Sequence, residues 1–183
     1  STRSSAFTEF EKSARVMSKY LQTHGIPEKE ITLSSVDISK RTKDFWDEDS
    51  RKYVTLEDGF SVSQTFTVSS NDLKRVESVY QRISELYNRG MDFSSEKPLY
   101  YYTKLNDLKM EMLNQASANA YERAQTIAKG SDSKVGSVVS STMGVFQIVG
   151  LNSDEEYSWG GTFNTSSKEK VASITVKTTY RVK

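Results

Sequence analysis

From Phe60 to Val68 the chain alternates, with apolar Phe60, Val62, Phe66 and Val68 set against polar Ser61, Ser63, Thr65 and Thr67. Side chains on a strand point to opposite faces in turn, so this stretch has one oily face and one wet face. A strand wet on one side belongs to an antiparallel sheet that is covered on its oily side only. Parallel sheets are buried on both faces and read as continuous apolar runs. The rest of the chain must therefore supply a cover for one face.

Three segments supply it. Phe7, Phe10, Ala14, Met17 and Leu21 recur at helical spacing, which predicts a helix over 5–23, stopped by His24-Gly25 and Pro27. Leu73, Val76, Val79, Ile83 and Leu86 predict a second helix over 72–88, with Ser69, Ser70 and Asn71 as capping oxygens and Gly90 as its end. A third runs over 104–129, with Leu105, Leu108, Met112, Ala116, Ala120, Ala124 and Ile127 inward. Its alanines at 116, 120, 124 and 128 form a row of small side chains that lets the axis approach a sheet closely.

The remaining strands are expected at 31–38, 91–102 (interrupted at Pro98), 134–149 (bent near Gly144) and at the C-terminus, where Ala172, Ile174, Val176, Tyr180 and Val182 share a face. The stretch 39–58 is polar and reads as a long hairpin with a poorly specified tip. The order is α-β-β-α-β-α-β-β, without strict helix–strand alternation. The expectation is an α+β fold, an antiparallel sheet covered by three helices, built as one domain or as two interlocked small subdomains.

Composition closes off several chemistries. There is no cysteine, which excludes disulfides, thiolate nucleophiles and iron–sulfur clusters. Lysine and arginine total 25 against 24 acids, too balanced for nucleic-acid binding as the main role. No apolar run is long enough to cross a bilayer. Hydrophobic residues at 36% are enough for a packed core.

The candidate chemistry is thin. His24 is the single histidine and sits at a helix end, where a structural role is the plainer reading. Asp44, Asp47, Glu48 and Asp49 surround Trp46, but they lack the spacing of a calcium loop and are flanked by lysine and arginine. Gly160-Gly161 lacks a phosphate-loop lysine and reads as a turn. Glu122 and Arg123 read as the solvent face of the third helix. Tyr100, Tyr101 and Tyr102 cannot all enter one core; the remaining ring is read first as an edge-strand ring covering the core, and second as a ligand or subunit contact. Trp159 joins them as a contact candidate. No catalytic residue, metal site or cofactor is expected.

The stretch YYYTKLNDLKMEMLNQASANAYERAQTIAKGSDSKVGSVVSSTMGVFQI resembles the signature half of the SIMPL-domain family. The matching elements are Tyr100 to Tyr102, Leu105 to Lys109, Ala116 to Ala128, Gly130 to Gly136 and Gly144 to Ile148. Gly25-Ile26, the stretch Gly59 to Gln64 and the closing KVASITVKTTYRVK fit as well. The family usually places a strand before the first helix, and this sequence, which opens at that helix, is expected to lack it. The resemblance implies a bacterial protein of the periplasm or cell envelope, of undefined activity and without a catalytic motif; some of the family are similar to proteins that assemble into rings or larger homo-oligomers.

The expected function is thus a non-enzymatic, self-associating binding or scaffold module. The alternative is a small-molecule carrier with a tyrosine-lined cleft. A carboxylate-dependent hydrolase ranks third.

Overall fold

The computed structural model describes residues 2–183 and divides the chain into one unit ending at Pro98 and a second spanning Leu99–Lys183. The first contains α1 (Arg3–Thr23), β1 (Ile31–Leu33), β2 (Asp37–Asp47), β3 (Lys52–Ser63), β4 (Phe66–Val68) and α2 (Leu73–Arg82). The second contains α3 (Leu105–Lys129), β5 (Val135–Met143), β6 (Gln147–Gly150), β7 (Lys170–Ser173) and β8 (Val176–Val182). The fold is α+β with antiparallel strand pairs, as expected. The strands form four two-stranded ladders, however, rather than one sheet: β1–β4, β2–β3, β5–β8 and β6–β7.

The ladders arise because each long expected strand breaks and its halves pair separately. Phe60 to Val68 keeps its alternating burial throughout. Val62 pairs with Ile38 in the β2–β3 ladder, whereas Phe66 and Val68 pair with Leu33 and Ile31 of β1. The strand expected to bend near Gly144 divides there into β5 and β6, and the C-terminal strand divides into β7 and β8. The strand expected at 91–102 is absent. Its residues straddle the junction between the units, and Pro98 has no N–H to give a ladder.

In the first unit, Thr2 Oγ1 accepts from the Ser5 N–H and caps α1. Gly25, at φ +81°, turns the chain out at its end. Met17, Tyr20 and Leu21 are buried with Ile26, Val79 and Leu86, and Ile31, Phe66 and Val68 pack against them. Phe10 and Ala14 lie on the same side, while Phe7 is half exposed. Asp72, not Ser69 to Asn71, caps α2 by accepting from the Arg75 N–H at 3.1 Å. Leu73, expected inward, is exposed at the first helical turn. After Arg82 the helix tightens into a 3₁₀ segment, Ile83–Arg89, closed by Gly90 at φ +73°. Ile83 N–H then bonds to Tyr80, and the Tyr20 hydroxyl donates to the Val79 carbonyl at 3.1 Å. Arg75 Nη2 bonds Glu30 Oε2 at 2.9 Å and so ties the turn that leads into β1 to α2.

In the second unit, α3 lies on the β5–β8 ladder. The alanine row works as expected: Ala116, Ala120 and Ala124 are half-buried and Ala128 is buried. Ile127, expected inward, is 75% exposed, because it stands about 100° round the helix from Ala128. Tyr121 meets Tyr180 edge-on at 5.6 Å. Val182, expected on the inner face, is exposed near the chain end.

Candidate functional site

The stretch 39–58 is a fully laddered arm rather than a hairpin with a vague tip. Pairing runs from Asp37↔Ser63 to Asp47↔Lys52, with a bulge between Lys40 and Thr42. Gly59 stands at that bulge with φ +95°, a conformation that glycine alone adopts without strain. Beyond it nearly every residue is exposed on both faces. Phe45 lies opposite Val54, next to the Lys43↔Leu56 pair, on one face. On the other, Trp46 meets Tyr53 edge-on at 5.2 Å. All five of these apolar side chains, Phe45, Trp46, Tyr53, Val54 and Leu56, are exposed. A hairpin alone is marginal in water, and this one keeps two open edges and a set of uncovered rings.

The arm's charges are largely spent on each other. Lys40 pairs with Glu57 and Arg41 with Asp58. The Lys40 ammonium holds the Glu57 carboxyl below its ordinary range. At the tip, Asp47 accepts from Ser50 Oγ at 2.7 Å and from the Asp49 N–H, which lowers its pKa. Asp44 takes the Thr55 hydroxyl. The acids around Trp46 therefore build a turn. Among the described residues, no group of three or more metal-ligating side chains comes together.

His24 has the structural setting expected of it. Its Nδ1 lies 2.9 Å from the Tyr20 carbonyl, and its ring lies tilted against that of Tyr20, centroids 4.2 Å apart. Nε2 is 4.0 Å from Glu85, whose carboxylate is claimed by Arg82 Nε at 2.9 Å.

Of the four expected contact residues, Tyr100 is half-buried in irregular backbone, its N–H donating to the Thr165 carbonyl at 2.7 Å. Tyr101 and Tyr102 are exposed. Trp159 is 99% exposed. It is nonetheless rigidly based. Buried Gln147 on β6 donates to the Ser158 carbonyl at 2.6 Å and accepts from the Ser158 N–H. Ser158 and Gly161 close a turn around it, with Gly161 at φ +93°. Glu155 accepts from the Gly150 N–H at 2.8 Å and from Asn164 at 2.6 Å. Those donors, the backbone N–H foremost, hold the Glu155 carboxyl below its usual range. Asn164 in turn accepts from Lys170, whose burial lowers its pKa. Taking an indole such as Trp159 out of water gives about 4–6 kcal/mol of gross stabilisation at ~25 cal/mol per Å².

A cleft of about 520 Å³ opens in the first unit between α1 and the β1–β4 ladder. Its floor is the cross-strand pair Leu33 and Phe66, and its rim carries Arg15, Lys19, Gln22 and Gln64. Neither this cleft nor the arm was legible as a site in the sequence. The arm lacks one-sided alternation, and the cleft draws on positions fifty residues apart.

No curated protein matches the chain. A family match, described as SIMPL, a protein of unknown function (DUF541), extends over residues 1–183. Covering the whole chain, that match shows that the protein belongs to the SIMPL family.

Proposed function

We propose that this chain is a non-catalytic binding or scaffold module of the cell envelope that works by associating with further copies of itself. The observation that carries the reading is the β2–β3 arm, with its open edges and the uncovered Phe45, Trp46, Tyr53, Val54 and Leu56. A second copy suits it because an edge strand is the natural partner of another edge strand. A net charge of +1 also leaves copies with little mutual repulsion. Glu57, Glu85 and Glu155 are held ionised by hydrogen-bond donors, a setting that suits anchoring better than proton transfer.

Light scattering after gel filtration tests this. Wild type should elute as an oligomer that Phe45→Lys with Leu56→Glu shifts towards monomer with unchanged circular dichroism. A variant that elutes like wild type removes the arm from the interface. Fractionation of cells producing the full-length protein checks the envelope location, and recovery in the cytoplasm would refute it.

The cleft beside Leu33 and Phe66 favours a second reading, a small-molecule carrier. A ligand panel that raises the melting temperature of wild type, but not of Leu33→Asp, would support it. A panel without effect counts against it.

A further inference from the structure

We infer that the Trp159 turn of one copy seats in the α1–β4 cleft of a second copy and joins the two head to tail. This rests on the self-association proposed above and adds a contact that the arm does not provide.

The anchor is prepared in advance. Trp159 is 99% exposed, yet its turn is fixed by the paired hydrogen bonds of Gln147 to Ser158 and by the Ser158–Gly161 closure. An aromatic side chain carried on a turn whose backbone is already fixed loses only its own rotamer freedom on docking, which keeps the cost of ordering small. The segment 151–167 contains three acids and no lysine or arginine. Glu155 is turned inward onto Gly150 and Asn164, which leaves Asp154 and Glu156 as the exposed acids of the segment that carries Trp159.

The cleft is the complement. Its floor is apolar, and half of Leu33 is open to water. Its rim carries two cations and two amides, with no carboxylate lining it. Among the described residues Lys19 makes no ion pair, and Arg15 reaches Glu11 only at 3.6 Å in an exposed pair that exchanges readily. The depression, about 520 Å³ and open to solvent, gives an indole a place to lie against Leu33 and Phe66. The arm is a poorer receptor for these acids, because Lys40 and Arg41 are already paired with Glu57 and Asp58. Donor and receptor are different surfaces of one chain, so repetition of the contact generates a closed ring or an open row of copies.

The test uses the full chain and sedimentation velocity across a concentration series. Trp159→Ser should weaken association about tenfold or more, and so should Arg15→Glu with Lys19→Glu. Asp154→Lys with Glu156→Lys should do the same, whereas the four charge reversals in one chain should restore association. The Trp159 emission, taken as the difference between wild type and Trp159→Phe, should shift to the blue as concentration rises. If wild type is monomeric throughout, self-association fails and this junction falls with it. If wild type associates and the Trp159 and charge variants match it, the self-association reading stands and the junction is overturned. A blue-shifted emission that does not change with concentration also overturns it, since the ring would then be covered within its own chain.

Discussion

Tyr20→Phe isolates one hydrogen bond at the centre of the first unit. Tyr20 is 1% exposed, and its hydroxyl donates to the Val79 carbonyl at the point where α2 tightens into the 3₁₀ segment. Removing the hydroxyl leaves a buried carbonyl short of a donor without opening a large void, so the expected cost is about 1–2 kcal/mol near neutral pH. The alkaline limb adds a second signature. Burial, ahead of the Glu85 charge, raises the Tyr20 pKa above 10.0. Below that value both folded and unfolded chains keep the proton, and the wild-type advantage is complete. Above it the unfolded chain ionises first, so wild-type stability falls by up to about 1.4 kcal/mol per pH unit until the folded group titrates. The phenylalanine variant lacks this component, so the gap between the proteins should narrow above about pH 10. Urea midpoints of both proteins at neutral and alkaline pH measure it. A variant as stable as wild type at neutral pH, or a gap that is constant into alkali, would refute the account of α1 docking on α2.

Three further outcomes are expected. Leu86→Ala deletes a fully buried side chain and should cost about 2–5 kcal/mol by urea denaturation, with the deficit rising with the size of the void left. Gly150→Ala would place a Cβ 3.0 Å from Ser167 Cβ in the second unit and should cost about 1–3 kcal/mol, which Ser167→Gly in the same chain should partly recover. Glu155→Gln addresses the base of the Trp159 loop. Because the folded pKa of Glu155 is depressed, its stabilisation is present above the unfolded value and is lost as pH falls through the folded one. The difference in urea midpoint between wild type and variant should shrink on acidification, and a difference that grows instead contradicts the assignment.

Much of the fold was legible where a side chain's burial follows from one helix or one strand. The alanine row of α3 and the oily positions of 60–68 lie as their spacing predicts. Legibility failed where pairing partners decide. Nothing local in 64–65 or 174–175 shows that a strand will stop and its next half choose another ladder. The arm was legible as a long hairpin, but its full ladder and ordered tip were not, because residues exposed on both faces leave no periodic trace. Of the contact candidates, Trp159 could be named from sequence and Gly160-Gly161 marked the turn beside it, but the bonds that fix that turn could not be read. That turn depends on Gln147 reaching Ser158 across eleven positions.

Sedimentation equilibrium of the wild-type chain from low to high micromolar concentration bears on the central proposal most directly. A reversible rise in average mass, abolished by Phe45→Lys with Leu56→Glu, is the predicted result. A single monomer mass across the whole range would contradict it.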